Sequence, residues 1–258
     1  MKAVLLKENF KEGITVVEKI NPKRLVLPIL ENILLSTEEN FIKLSATDLE
    51  TAVHYWVLGK IEKQGTTTIP VKLLSNLIKT IKAPKITLEL NTGNLFIYGE
   101  EEKLNLRCQN PDDFPIIPKK QKENSFTVDI PSFCKGIAFV ADTVSLSQNK
   151  PELTGIYFKV FHNEATLVST DSFRLSEITI PIIKNTLTDK EYSFIVPVKI
   201  LQEILTTFLD KNGQLEVSLS KNQIFFEYFN PETNHTQVLF LFIDSDYTKT
   251  VAKDKLTY

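Results

Sequence analysis

The stretch Ile195-Val-Pro-Val-Lys-Ile-Leu-Gln-Glu-Ile-Leu-Thr-Thr-Phe208 decides the fold, because the earlier stretch Ile69-Pro-Val-Lys-Leu-Leu-Ser-Asn-Leu-Ile-Lys-Thr80 repeats its pattern. Three further pairs recur at nearly the same separation: Phe10-Lys-Glu-Gly-Ile14 with Phe133-Cys-Lys-Gly-Ile137, Pro28 with Pro151, and Thr47-Asp48 with Thr170-Asp171. A unit of about 125 residues therefore occurs twice, which is the size of a domain rather than of a short solenoid repeat.

Each unit is itself predicted to contain two β-α-β-β-β halves, which makes the fold class α+β. Apolar residues at helical spacing predict four helices, at 9–20, 70–81, 131–141 and 198–208. Short β-branched and aromatic runs between turn residues predict the strands. We expect one domain at 1–122, a second at 123–247 and a linker at 248–258, which has the composition of an interrupted connection to a further domain.

The composition is that of a globular protein. The chain has 258 residues, of which 42% are hydrophobic and 24% charged, and its net charge is −2. No apolar run is long enough for a signal peptide or a membrane span, so we expect a cytoplasmic protein. Cys108 and Cys134 lack the spacing of metal ligands, and we expect both to be buried, reduced thiols. The weak net charge requires any nucleic-acid surface to be local.

We find no motif of an enzyme. His54, His162 and His235 are isolated and lack the spacing of metal ligands, and eight glycines form no phosphate-binding loop. Asp48 and Asp171 recur by duplication, whereas catalytic carboxylates need different environments. We therefore interpret these two residues as turn formers, and we expect no metal and no cofactor.

A resemblance covers nearly the whole chain. The chain resembles the family of the bacterial sliding clamp, the beta subunit of DNA polymerase III, through six motifs in the family's order and spacing. They are Lys23-Arg-Leu-Val-Leu-Pro-Ile-Leu-Glu-Asn-Ile-Leu-Leu35, Ala46-Thr-Asp-Leu-Glu50, Thr68-Ile-Pro-Val-Lys72, Asp113-Phe-Pro115, Pro151-Glu-Leu-Thr-Gly155 and Ser169-Thr-Asp-Ser-Phe-Arg-Leu-Ser176. Chains of this family carry three such domains, of which the first two match here.

The resemblance implies the DNA-clamp fold, with helices lining the hole of a ring around duplex DNA and sheets outside. Lys72, Lys79 and Lys199 lie opposite the apolar stripes of their helices, and lysine contacts phosphate without reading sequence. Together with Arg24 they match basic positions of the family, and the loop of Gln148 and Asn149 is a further candidate for DNA contact. For this loop, and for the further lysines at positions 11 and 135, a merely solvated surface is an equal alternative.

The resemblance also implies a cleft for short peptides of partner proteins. Residues that match the second domain's share of it are Lys150, Leu153, Thr170, Arg174 and Leu175, and we add Phe173, which lies among them, to the predicted site. The alternative is a plain turn in which Thr170 and Asp171 bond their own backbone. The family's usual Gly-His is Ser172-Phe173 here, and its usual Phe-Pro-Asp-Tyr is reduced to Ser245-Asp246-Tyr247.

The implied function is that of a non-catalytic processivity factor. Its expected partners are double-stranded DNA, the polymerase III catalytic subunit, the clamp loader and other clamp-motif peptides. The complete protein is expected to form a ring-shaped homo-oligomer. We expect the present chain to stay monomeric or to self-associate weakly through unpaired strand edges, and the alternative is a complete two-domain clamp that closes as a trimer. The alternatives are a non-DNA assembly module of duplicated sheet domains, or an enzyme without a recognisable motif.

Overall fold

The computed structural model describes residues 1–20, 27–120, 124–147, 149–187, 191–220, 223–233 and 235–243. The first β-α-β-β-β half contains β1 (Lys2–Leu6), α1 (Lys7–Glu18), β2 (Asn32–Glu38), β3 (Phe41–Thr47) and β4 (Thr51–Lys63). The second half contains β5 (Thr66–Pro70), α2 (Val71–Ile78), β6 (Lys85–Asn91), β7 (Asn94–Tyr98) and β8 (Lys103–Arg107).

The same order of elements recurs in the rest of the chain. The third half contains β9 (Ser125–Asp129), α3 (Ile130–Ala141), β10 (Gly155–Phe161), β11 (Glu164–Thr170) and β12 (Leu175–Asn185). The fourth half contains β13 (Tyr192–Pro197), α4 (Val198–Phe208), β14 (Gln214–Leu219), β15 (Gln223–Asn230) and β16 (His235–Ile243). Short 3-10 turns lie at Pro28–Glu31, Pro111–Asp113 and Pro151–Thr154. The predicted α+β duplication is confirmed.

The helix at 198–208 has the predicted bounds, but the helix predicted at 70–81 ends earlier, at Ile78. The amide of Thr80 donates to the carbonyl of Leu77 at 3.0 Å, and the Thr80 hydroxyl donates to the same oxygen at 2.7 Å. This tighter hydrogen bonding ends the α-helical pattern, and Pro84 follows shortly afterwards.

The described residues divide into two compact units. The first comprises Met1–Lys119 together with Asn230–Phe240, and the second comprises Lys120–Phe229 and the residues from Leu241 onward. The predicted linker at 248–258 and residues 245–247 lie outside the described residues.

Each unit has the same antiparallel topology. In the first unit the strand order β4-β1-β6-β7-β8 joins the order β4-β3-β2-β5 through the long strand β4. In the second unit the orders β12-β9-β14-β15 and β12-β11-β10-β13 meet in β12. Except for β8, the two strand orders correspond position by position, which shows that the sequence duplication is a duplication of the fold.

The helices of each unit pack against each other and against the strands. Phe10, Ile14 and Val17 of α1 are buried, as are Phe133 and Ile137 at matching places in α3. The Ser75 hydroxyl of α2 donates to a Glu18 carboxylate oxygen at 2.7 Å and thereby links α2 to α1. None of the helices within the described residues combines the length and the hydrophobicity that a membrane crossing requires.

We predict different tolerances for the matched glycines of α1 and α3. A Cβ added at Gly13 would lie 2.8 Å from the buried ring of Tyr55, whose hydroxyl accepts a hydrogen bond from Gln237. A Cβ at Gly136 would meet only side-chain methyl groups, at 3.1 Å or more. Gly13→Ala should therefore lower the free energy of unfolding by about 1–3 kcal/mol through overpacking.

Gly136→Ala serves as the matched control. Alanine favours a helix over glycine by about 1 kcal/mol, which offsets the mild crowding. Chemical denaturation of both variants checks the pair, and equal destabilisation of the two would contradict the expectation.

Candidate functional site

The first candidate surface is the exposed face of α2. Val71, Leu74 and Ile78 are buried, whereas Lys72 in the first turn and Lys79 at the C-cap are exposed. Pro70 at the N-cap provides no side-chain cap, and the first turn contains no acidic residue. The positive end of the helix dipole and the Lys72 charge therefore add together, an arrangement that favours an anion rather than helix stability.

The matching helix α4 repeats this arrangement. Lys199 is exposed in its first turn, Pro197 is the N-cap without a side-chain bond, and no acidic residue lies in the first turn. The other two helices differ, because α1 has Glu8 in its first turn and α3 is capped by Asp129, which accepts from the Ser132 amide at 3.1 Å. Within the described residues, the lysine-bearing helix starts without an acidic neighbour are thus confined to the second half of each unit.

The remaining predicted DNA contacts have mixed outcomes. Arg24 and Gln148 lie outside the described residues. Asn149 is exposed, and its amide donates to the Ser147 hydroxyl at 3.4 Å. Lys11 forms an ion pair with Glu8 at 3.2 Å, whereas Lys135 is exposed on α3.

The second candidate surface is the turn between β11 and β12. The Thr170 hydroxyl donates to the Arg174 carbonyl at 2.7 Å and accepts from the Ser172 amide at 3.1 Å. Asp171 Oδ1 accepts from the amides of Phe173 and Arg174 at 2.9 and 2.7 Å. Asp171 Oδ2 accepts from Arg174 Nε at 3.0 Å. The Arg174 amide, the Phe173 amide and the Arg174 side chain together lower the pKa of Asp171 to about 2.

The turn between β3 and β4 has the same hydrogen bonds. The Thr47 hydroxyl donates to the Thr51 carbonyl at 2.8 Å, and Asp48 accepts from the amides of Glu50 and Thr51. Leu49 and Ser172 both adopt the left-handed conformation, with φ of 77° and 76°. Threonine and aspartate therefore serve the fold in both units, in agreement with the turn interpretation of Asp48 and Asp171.

The two turns differ in what they expose. The second presents Phe173, which is 96% exposed, and Leu175, which is 50% exposed. Glu50 takes the place of Phe173 in the first unit, and the buried Ala52 takes the place of Leu175. The exposed apolar pair is thus an addition that the turn itself does not require.

Leu153 lies at the base of a neighbouring loop. Its amide donates to the Lys150 carbonyl at 3.0 Å, and its carbonyl accepts from the Ser145 amide at 2.9 Å. Leu153 is only half-buried, and Lys150 is exposed. Sequence reasoning missed Leu146 in the same loop, which is 98% exposed. The one sequence feature that could have indicated Leu146 is its position between two serines shortly after a helix.

The histidines and cysteines of the described residues form no reactive site. His54 is buried, its Nδ1 lies 2.8 Å from the Ser45 hydroxyl, and desolvation lowers its pKa to about 3. Cys134 is buried, but Cys108 is only half-buried at the end of β8, which corrects the expectation that both thiols are buried. Over the part of the chain that the structure describes, no three potential metal ligands come together.

Comparison with known proteins gives a consistent result. A model of the N-terminal domain of the DNA polymerase III beta subunit matches residues 1–118, and a model of its central domain matches residues 127–246. The beta sliding clamp of Rickettsia bellii is 26% identical over 230 residues, which cover 88% of this chain and 60% of that protein. That of Bacillus subtilis is 24% identical over 246 residues, covering 89% and 63%. The chain thus spans about 60% of the length of these curated relatives.

Solved structures agree with the fold. A DNA polymerase sliding clamp from Bacillus subtilis matches with a TM-score of 0.85 at 20% identity, over 100% of this chain and 68% of that chain. A putative DNA polymerase III beta subunit from Eubacterium rectale matches with a TM-score of 0.84 at 25% identity, over 100% and 69%. The predicted clamp fold is therefore confirmed.

We predict that the Asp171 turn depends on pH. Because the folded pKa of Asp171 lies below its unfolded value of about 3.9, its ionised form stabilises the folded protein above pH 4. Asp171→Asn should lower the free energy of unfolding at pH 7. The difference between the two proteins should shrink as the pH falls from about 4 to about 2. Denaturation at a series of pH values measures this, and a difference that does not change with pH would contradict it.

Proposed function

Because this chain belongs to the family of the DNA polymerase III beta subunit, we propose that it forms part of a sliding clamp that encircles duplex DNA. The clamp acts as a processivity factor and holds the replicative polymerase on its template. It is a non-catalytic subunit that needs no cofactor. Because both cysteines of the described part are free, we place the protein in the reducing cytoplasm.

The observation that carries the proposal is the pair of lysine-bearing helix starts. Lys72 and Lys199 occupy the same place in two duplicated helices, and both add their charge to an uncapped helix N-terminus. Phosphate groups are the anions that such sites favour, and contacts of this kind carry no sequence information. Arg24, Lys79, Gln148 and Asn149 complete the proposed DNA-facing set.

Weak contacts suit a clamp. A ring retains DNA by topology, so each phosphate contact needs only to guide the duplex and can exchange as the ring slides. We propose that the complete protein closes such a ring as a homo-oligomer. Its partners are the clamp loader and the polymerase III catalytic subunit.

We propose that short peptides of these partners dock on the turn of the second unit. Phe173 and Leu175 supply exposed apolar area next to Arg174 in the chain, and Thr170 is the strand partner of Leu175. We assign Lys150 and Leu153 of the loop after α3 to the same proposed surface. Exposed apolar side chains next to polar neighbours are a common basis for anchoring alternate side chains of an extended peptide. The first unit lacks this apolar pair, which supports a role outside the fold.

We predict that the three lysines contribute jointly to DNA binding. The triple variant Lys72→Glu, Lys79→Glu, Lys199→Glu should weaken binding to every duplex sequence alike. The slope of the logarithm of affinity against the logarithm of salt concentration should fall by up to about 3, roughly 0.9 for each phosphate that the variant no longer neutralises. Fluorescence anisotropy with labelled duplexes of two sequences measures both quantities.

A matched control places the same charge change on strands. Lys60→Glu, Lys85→Glu, Lys184→Glu replaces three exposed lysines of β4, β6 and β12 and should leave the salt slope unchanged. Equal decreases of affinity in both triple variants would indicate an effect of net charge alone and would contradict the assignment. For the complete protein, retention on circular DNA that disappears after the circle is cut separates a clamp from a non-DNA assembly module.

We predict that Phe173 contributes to peptide affinity. Phe173→Glu copies the first unit, where Glu50 stands, and should weaken binding of capped peptides with leucine and phenylalanine at alternate positions about tenfold or more. NMR titration should shift the amide signals of 170–175 in the parent protein. Glu50→Gln is the control and should leave the titration unchanged. Peptide-induced shifts that are absent from 170–175 would contradict this site.

A further inference from the structure

The C-terminal end of α3 carries an unfavourable charge. Its C-cap residue is Asp142, and its last turn contains no basic residue. Helix carbonyls make this end negative, so a carboxylate there is destabilising and a cation is stabilising. The helix therefore lacks within its own sequence the charge that its end favours.

The matched C-terminal end of α1 carries a favourable charge. Its C-cap residue is Lys19, which supplies a cation at the corresponding position. The residue of the first unit that corresponds to Arg174 is Thr51, which is buried and uncharged. The first unit thus has its cation, Lys19, at the helix end, whereas the second unit has its cation, Arg174, in the turn between two strands.

Arg174 reaches the C-terminal end of α3 from the turn. Its Nη2 donates to the Asp142 carbonyl oxygen at 3.3 Å and lies 2.9 Å from Asp171 Oδ2. Asp171 fixes the guanidinium on one side, while the α3 carbonyl accepts on the other. The Arg174 guanidinium is thus engaged by Asp171 and by the end of α3 at the same time.

A second contact joins the same elements. The Thr143 hydroxyl, shortly after the helix, lies 2.8 Å from the Ser169 hydroxyl at the end of β11, and it donates to the Val140 carbonyl at 3.1 Å. Both hydroxyl residues are buried. The end of α3 is thus attached to β11 and the Thr170–Arg174 turn at two points.

The loop that follows begins at this attachment. The Ser145 amide donates to the Leu153 carbonyl at 2.9 Å, and the Ser147 amide donates to the Ser145 hydroxyl at 3.2 Å. Asn149 is held in turn by Ser147. Successive hydrogen bonds therefore connect the first residues after α3 with Asn149, in the loop that also carries Lys150.

We propose that Arg174 is a positioning residue for this loop: it holds the C-terminal end of α3 and so sets the place of Asn149 and Lys150. Its role for DNA rests on the proposed clamp function, whereas its hold on the loop does not. A ligand that competes for the Arg174 guanidinium would release the helix end, so the peptide surface and the DNA-facing loop share one connection.

The test uses the whole chain and Arg174→Gln. A cation at a helix C-terminus contributes enough that hydrogen exchange of the Ser145 and Leu153 amides should accelerate about two- to fivefold without it. The exchange rates of the β14 amides should be unchanged, because only a general loss of stability would raise those rates as well. Adding Asp142→Lys, which copies the first unit, should restore slow exchange at Ser145.

DNA binding distinguishes positioning from direct contact. Duplex affinity of Arg174→Gln should fall about two- to fivefold with an unchanged salt slope, whereas a direct phosphate contact would lower the slope by about 0.9. That lower slope, or unchanged exchange at Ser145, overturns the proposal. If the parent chain binds no DNA, the proposed clamp function is wrong. The positioning role is then still tested by the hydrogen-exchange rate of the Ser145 amide in Arg174→Gln and by its rescue with Asp142→Lys.

Discussion

Hydrogen bonding on both edges of β1 joins the halves of the first unit. Its residues pair with β4 of the same half on one side and with β6 of the following half on the other. At the crossing with β4, Leu5 lies opposite Gly59, where no space remains for a Cβ. The second unit repeats the solution with β9 between β12 and β14. Together with the packing of α1 on α2 and of α3 on α4, this pairing joins two halves into one body.

Periodicity revealed much of this architecture in the sequence. The repeated Pro-Val-Lys starts of α2 and α4 and their apolar stripes predicted which lysines would be exposed, since a helix period fixes both faces at once. The Thr-Asp pairs likewise predicted turns, because short polar side chains bond their own backbone. These predictions concern contacts between residues that are close in sequence.

Contacts between distant residues could not be predicted in this way. Nothing near Asp142 in the sequence indicates that its carbonyl is bonded by Arg174, because the bond depends on how α3 lies against the end of β11. The half-exposed state of Cys108 likewise depends on its position after an edge strand of the sheet. Comparison of the two units partly compensates for this. The first unit shows which residues the turn requires, and the second unit shows which exposed residues differ from them.

The residues with left-handed backbone conformation in the two turns show how a turn can keep its geometry while its exposed side chains change. Leu49 and Ser172 share nearly the same φ although neither is glycine, so the threonine and aspartate bonds impose the backbone whatever side chain is present. The strain costs about 1–2 kcal/mol, a cost that these bonds offset. The positions at and after the bend are therefore free to vary, as in the hypervariable loops of a recognition scaffold. Divergence after duplication can change what the turn presents while its geometry stays constant.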